Sequence, residues 1–215
     1  MPHDLPATPL FSSLDPAALP ALLRCIGARQ VSNPRRARLL TAGDACADVG
    51  LIARGCVHVL RDDPQGNPVL LARLTQGDLL AESFACSGIA PTVSAQAEED
   101  CLVWWLPAAC LLAPCARGCA VHAALAANLT RILARRNVFL TGRIAHLSER
   151  SLRGKVLSYL ADEAARQGTR SFRIPFDRQG LADYLAADRS ALSAVLCRLR
   201  DEGRLTFRKN YFTLL

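Results

Sequence analysis

Cys115, Cys119 and His122 stand at i, i+4 and i+7, which on a helix puts two thiols and an imidazole on one face. Such a set suits zinc or an iron–sulfur cluster, although C-x3-C is a looser spacing than paired C-x2-C. Cys86 and Cys101 lie upstream and bring further thiols to the same reading. A thiol–disulfide switch is a second reading. Plain burial is a third, since a free cysteine packs as a small hydrophobe, and it is the expectation for Cys25, Cys46, Cys56 and Cys197. His58 and His146 show no partner in the sequence. A cysteine-dependent enzyme is the remote alternative: Cys119 with His122 is the one local thiol–base pair, and no Gly-rich oxyanion loop accompanies it. No enzyme is expected.

A second constellation is basic rather than thiol-rich. Residues 1–130 carry 9 Lys+Arg against 11 Asp+Glu, while residues 131–215 carry 17 against 8, so the net +7 gathers in the C-terminal part. There Asp177 and Asp188 are spaced as N-caps of two short helices, and Gly203 supplies the stop of the second. Leu181, Ala182 and Leu185 mark the inner face of the first helix; Leu192, Val195, Leu196 and Leu199 mark that of the second. A helix, a turn of three to four residues and a helix is the layout of a DNA reader, whose second helix enters the major groove with its N-terminal side chains forward. Those side chains are Arg189, Ser190 and Ser193. Leu205–Arg208 and Tyr211–Leu214 then form a hairpin turning at Lys209-Asn210, which makes the reader a winged helix-turn-helix. Arg178, Gln179, Arg198, Arg208 and Lys209 complete the candidates for duplex contact, through phosphates whose neutralisation makes binding salt-sensitive.

The elements that must position these groups divide the chain. Residues 10–26 read as one amphipathic helix through Leu14, Leu19, Leu22, Leu23 and Ile26. From Gln30 to Leu106 the text changes to short β-like runs broken by Gly-Asp and Pro-Gly signals, the pattern of a β-sandwich or a jelly-roll barrel. From Cys115 to Leu147 no proline occurs. Leu125, Leu129, Ile132, Leu133, Phe139, Leu140, Ile144 and Leu147 follow a helical stripe there. A helix of about 30 residues is roughly 45 Å long, too long for one small domain to cover, so the stripe predicts a second copy of the chain as its partner. Ser151 is expected to cap a further helix ending near Gly168. The fold class is α+β, divided into an effector-sensing barrel over 1–114, a dimerisation helix over 115–147 and the winged reader over 148–215. No run approaches a membrane span, and the start Met1-Pro2-His3-Asp4 lacks the basic, apolar pattern of an export signal, so a cytoplasmic protein is expected.

The order of barrel, long helix and winged reader, with the turns Gly43-Asp44, Gly55-Cys56-Val57 and Gly77-Asp78, resembles the cyclic-AMP receptor and fumarate–nitrate regulator family of bacterial transcription factors. The resemblance implies a homodimer on a pseudo-palindromic operator, with double-stranded DNA and RNA polymerase as partners and no membrane. Three departures accompany it. Family members that bind cyclic nucleotides hold the ribose and phosphate with a glutamate and an Arg-Ser or Arg-Thr pair. The matching residues are Glu82, Pro91 and Thr92, so a phosphate meets no charge and cyclic nucleotide is not expected as effector. The clustered N-terminal cysteines of the oxygen-sensing branch are missing, since the first cysteine is Cys25. Ser190 and Ala194 stand where members present a glutamate and an arginine on the reader helix. The resemblance therefore leaves two effectors open: redox state or a metal centre sensed through Cys86, Cys101, Cys115, Cys119 and His122, or an uncharged small molecule in a barrel pocket bordered by Glu82 and Thr92.

Overall fold

The computed structural model describes residues 5–63, 65–113 and 119–215. The chain forms two compact units, Met1–Ala134 and Arg135–Leu215.

The first unit is built on two four-stranded antiparallel sheets. β1 (Arg29–Asn33), β8 (Cys101–Pro107), β3 (Asp48–Arg54) and β6 (Leu79–Leu80) form one sheet in that spatial order. β2 (Arg38–Leu40), β7 (Ser94–Ala97), β4 (Val57–Asp62) and β5 (Pro68–Leu74) form the other. β3 lies between two partners, and Val49, Leu51 and Ile52 are all fully buried, which is why it reads as an unbroken apolar run. β5 is an edge strand whose Val69, Leu70 and Leu71 stay exposed. The turn at Gly55 admits no side chain: φ is +93°, and a Cβ would stand 2.7 Å from both the Asp100 carbonyl and the Cys101 sulfur.

The predicted helix over 10–26 is interrupted. A 3₁₀ turn covers Pro9–Phe11 and α1 covers only Leu19–Cys25. Ser13 takes a left-handed φ of 64° between them, and Pro16 cannot donate to a helix ladder, whereas Pro20 is tolerated in the first turn of α1. Two short helices absent from the sequence reading, α2 (Glu82–Ser87) and α3 (Ala108–Leu112), follow β6 and β8.

α4 runs from Ala120 to Ser148, 29 residues, and the boundary between the units falls within it. The stripe does not stay uncovered along its whole length. Leu125 and Leu129 are buried in the first unit's own core with Leu10, Phe11 and Leu22. Asn128 donates to the Leu10 and Ser12 carbonyls at 3.0 and 2.7 Å, fastening the 3₁₀ turn to the helix. Val138, Phe139, Leu140 and Ile144, in the second unit, are each more than half exposed. No helix among the described residues is long and apolar enough to cross a membrane.

The second unit packs α5 (Leu152–Gln167), α6 (Arg178–Tyr184) and α7 (Arg189–Asp201) against a three-stranded sheet, in the order β10 (Leu205–Arg208), β11 (Tyr211–Leu214), β9 (Ser171–Arg173). Leu160, Phe172, Leu196, Leu199 and Phe212 form its sealed centre. Ser151 caps α5 by accepting from the Gly154 N–H, and Gly168 ends it with φ +64°, as its sequence predicts.

Candidate nucleic-acid interface

The reader begins with two caps. Asp177 accepts from the Gly180 N–H at 2.7 Å, and Asp188 accepts from the Ser190 and Ala191 N–H groups at 2.8 and 3.0 Å. Both carboxylates sit where a helix presents unpaired amides, so each satisfies donors that would otherwise need water. The Ser190 hydroxyl also donates to Asp188 at 2.5 Å, and this bond, with those from the backbone, holds the Asp188 carboxyl below its ordinary pKa. Leu192, Leu196 and Leu199 seal the inner face of α7, leaving Arg189, Ser190, Ala194 and Arg198 exposed and Ser193 half-buried. The Ser193 hydroxyl donates to the Arg189 carbonyl at 2.9 Å. Both reader serines are thus committed to the helix itself, and Arg189 is the long polar side chain at its start.

Asp177, Arg178, Gln179, Arg189, Lys209 and Asn210 line one open cleft of about 450 Å³. Three cations from α6, α7 and the wing turn therefore converge. Arg178 lies over the Phe207 ring with its guanidinium 5.0 Å from the centroid, and burial lowers its pKa from the usual arginine value. Gln179 is held along α6 by donating to Asp183 at 2.8 Å. The wing turn is fixed by a reciprocal pair: Ile174 N–H donates to the Asn210 carbonyl at 2.9 Å, and the Asn210 amide donates to the Ile174 carbonyl at 3.1 Å. Lys209 takes a left-handed φ of 55° at its tip. Arg198 and Arg208 are exposed on α7 and β10 but do not line the cleft.

A cluster that the sequence did not disclose backs this reader. His146, on the last turn of α4, is 4% exposed. Its Nε2 lies 2.9 Å from Asp162 Oδ2 and its Nδ1 3.0 Å from the Tyr184 hydroxyl. An ionised carboxylate only accepts, so Nε2 carries the proton and, in the neutral ring, Nδ1 accepts from Tyr184. Arg143 donates to the Tyr184 and Asp183 carbonyls at 3.0 and 3.1 Å, and Lys155 donates to the Leu185 carbonyl at 3.4 Å. These carbonyls form the C-terminal end of α6, where cations are favoured. Tyr184 is further ringed by Phe139, Tyr159 and Phe176, with centroids 5.0 to 5.7 Å away. Burial raises the Tyr184 pKa. The end of α4 thereby grips the first helix of the reader. Three separate segments supply the partners, so no local spacing could have signalled them.

Among the described residues the expected cysteines do not gather. Cys115 lies outside the described residues. Cys101 is buried in the barrel and its thiol donates to the Cys56 and Glu99 carbonyls at 3.2 and 3.0 Å. Cys86 packs against the core near α1, and burial, followed by the charge of nearby Cys46, raises its pKa. Burial likewise raises Cys101 and Cys46. No three His, Cys, Asp or Glu side chains among the described residues stand ready to hold a metal. The physical reason is that the barrel sends Cys86 and Cys101 into different cores. Cys119 instead shares a cavity with a cysteine assigned to packing: Cys25, Cys119 and His122 line one space of about 270 Å³ with Ala18, Ala21, Leu22 and Val121. At the barrel positions marked by the resemblance, Glu82 is 2% exposed at the start of α2 and Thr92 is exposed. Pro91 is buried, its carbonyl accepting from the Gly43 N–H at 2.8 Å.

The cyclic nucleotide-binding domain family matches residues 30–117, and the Crp-like helix-turn-helix domain family matches residues 154–215. No curated protein matches the chain significantly. The solved structure of the Thermus thermophilus catabolite activator protein is 24% identical, with 97% of this chain and 94% of that one covered and a TM-score of 0.52. The N-terminal domain of a transcriptional regulator from Streptomyces coelicolor A3(2) is also 24% identical, covering 63% of this chain and 93% of its own, with a TM-score of 0.51. At these identities the two structures bear on the fold.

Proposed function

Since the chain belongs to the cyclic-AMP receptor and fumarate–nitrate regulator (Crp/Fnr) family of transcription regulators, we propose that it acts as a homodimer on a pseudo-palindromic operator and answers to its cysteines rather than to a cyclic nucleotide. The family and fold are those of DNA-binding regulators, not of enzymes. The observation that carries the reading is the convergence of Arg178, Arg189 and Lys209 on one cleft between two capped helices and the wing. Arg178 and Lys209 hold phosphates, and Arg189 reaches base edges, where a bidentate contact to guanine is worth about 1–3 kcal/mol of discrimination.

A cyclic nucleotide does not fit the barrel residues, because buried Pro91 stands where a cation is needed and Ile89, Ala90 and Thr92 beside it carry no charge. The dimer reading is supported by Val138, Leu140 and Ile144, whose exposure on α4 suits the same helix of a second copy. RNA polymerase is the further partner of a regulator working as an activator.

The test is selection of duplexes from a random pool by the purified chain, followed by titration of the selected duplex at several salt concentrations. The expected result is a two-fold symmetric site whose half-sites lie about 34 Å apart, with affinity falling linearly in log salt. Selection of asymmetric sequences, or an affinity indifferent to salt, overturns the reading.

A further inference from the structure

Ser190 and Ala194 stand at i and i+4 on α7, so they share one face of the helix, and both are exposed. Arg189 precedes them at the first helical position and lines the open cleft. A serine hydroxyl carries one proton to donate and two lone pairs with which to accept. The Ser190 hydroxyl gives its proton to Asp188 Oδ1 at 2.5 Å, and that carboxylate also accepts from the Ser190 and Ala191 N–H groups. A hydrogen bond to an ionised acceptor is roughly twice as strong as one between neutral groups, so Ser190 keeps it when a base arrives. Its oxygen is therefore left with lone pairs alone towards the outside, and the carboxylate behind it makes those lone pairs better acceptors. Ser193 is half-buried, with its proton on the Arg189 carbonyl. Ala194 presents a methyl group and no polar side-chain atom.

We propose that Ser190 and Ala194 read two letters of each half-site: Ser190 accepts from the amino group of a cytosine or adenine, and Ala194 packs on the methyl group of a thymine. The major-groove edges make the choice. Guanine offers Ser190 only the acceptors O6 and N7, and thymine only the acceptor O4, so an oxygen without a free proton meets lone pairs there. Cytosine N4 and adenine N6 are the amino donors of that groove. The thymine C5-methyl is the apolar group on the same edges, and it is the partner for a side chain with nothing to bond. Four residues of helix advance about 6 Å at ~1.5 Å per residue. That is close to two base-pair steps of about 3.4 Å, so the two letters fall within about two base pairs of one another. Arg189 keeps the guanine contact, so each half-site answers to a donor, an acceptor and a methyl group. The inference rests on the reading of the cleft as a duplex-binding site and names two of the bases that it takes.

The experiment uses the full chain and the duplex that it selects from the random pool. Deoxyuridine replaces each thymine of a half-site in turn, which deletes the C5-methyl and keeps the pairing. Anisotropy titration should find one replacement that weakens binding by the original chain about fourfold, the worth of one buried methyl group, and leaves Ala194→Gly unaffected. In a second series N6-methyladenine or N4-methylcytosine replaces each amino-bearing base, so that a methyl group takes the place of the outward amino proton. One such replacement should weaken the original chain about three- to tenfold more than it weakens Ser190→Ala, the range of a single neutral hydrogen bond. Ser190→Thr, which keeps the hydroxyl, should retain the full penalty. Neither Ser190 variant should change the slope of log affinity against log salt, because no phosphate contact is lost. The deoxyuridine series on the original chain stands if a variant fails to fold. Indifference to every deoxyuridine overturns the role of Ala194. Equal penalties in the original chain and Ser190→Ala at every methylated base overturn the role of Ser190. A chain that selects no symmetric site removes the reader itself. A chain that selects one and fails both series keeps the reader and removes these two letters.

Discussion

Each unit buries a histidine on α4, and the two are held in opposite ways. His146, in the reader unit, has a partner at both ring nitrogens and sits edge-on to Tyr159. His122, in the barrel unit, is nearly as buried yet leaves Nδ1 with nothing to bond. A satisfied polar network rigidifies its surroundings, whereas an unsatisfied buried group is costly. The reader is pre-organised for a rigid duplex: its caps, its wing turn and the C-terminal end of α6 are all bonded before DNA arrives. In the barrel unit the Nδ1 of His122, at the start of α4, has no such partner.

The comparison breaks most visibly if the two units do not melt separately. Phe212 is fully buried between β10 and β9. Phe212→Ala should cost about 3–5 kcal/mol and unfold residues 135–215 near room temperature. Calorimetry should then show the barrel transition unmoved and specific DNA binding gone. A single shared transition displaced as a whole would show that the units are energetically one. The matching lesion in the barrel is Gly55→Ala, which forces a side chain into a left-handed turn against the Asp100 carbonyl and the Cys101 sulfur. A loss of roughly 3 kcal/mol is expected from strain and overpacking together. It should lower the first transition and spare the second.

The two histidines give a sharper test. His146→Ala removes partners from Tyr184 and Asp162 and should destabilise the reader unit by about 2–3 kcal/mol. His122→Leu exchanges an unpaired polar ring for an apolar side chain, so stability should stay within about 1 kcal/mol of the original. Chemical denaturation of both variants checks the pair. Equal losses would mean that His122 is as structural as His146, and the contrast between the units would fail.

How much was legible beforehand follows the same division. In the reader, Asp177, Asp188, Ser151, Gly168 and Gly203 act on neighbours within four residues, so their types and spacing disclose their roles. The hairpin turning at Lys209-Asn210 is equally local. The strands of the barrel were visible wherever β-branched and aliphatic runs were long, as in β3 and β8. β1 and β7 were not, because Arg29, Gln30, Ser94 and Gln96 are polar and their strand state depends on pairing with β8, β2 and β4. The predicted stripe of α4 merged two faces with different fates: Leu125 and Leu129 are taken by the unit's own core, and Leu140 and Ile144 are not. Cys25 sharing a cavity with Cys119, and His146 meeting Asp162 and Tyr184, are products of tertiary folding over 94, 16 and 38 residues. No periodicity records them.

Removing single cations from the cleft refines the docking side of the comparison with a smaller effect. Arg178→Ala and Lys209→Ala should each weaken all duplexes alike and reduce the slope of log affinity against log salt by about 1. Arg189→Ala should instead flatten preference at one position of each half-site. Anisotropy titrations on the selected duplex and a single-base variant at three salt concentrations separate the two behaviours. An unchanged slope for both Arg178→Ala and Lys209→Ala would remove the cleft from the interface.

The smallest effect concerns acid. Ser190 and the first amides of α7 hold the Asp188 carboxyl below the ordinary 3.8, and Arg153 holds Glu202 below the ordinary 4.5 at the other end of the helix. A lowered carboxyl pKa means that the folded chain binds protons less readily than the unfolded one. The stabilisation is therefore complete above those ordinary values and is lost as pH falls through the depressed ones. Asp188→Asn keeps an oxygen to accept from Ser190 and Ala191 but has no charge to titrate. Near neutral pH its reader transition should lie close to that of the original chain. Below pH 4 its melting temperature should fall less steeply, because one proton-linked loss has been removed. A series of thermal melts followed by circular dichroism from pH 7 to pH 2 reads this directly. If the two chains run parallel down to pH 2, the Asp188 charge contributes nothing to the reader and the hydrogen bonds alone make the cap.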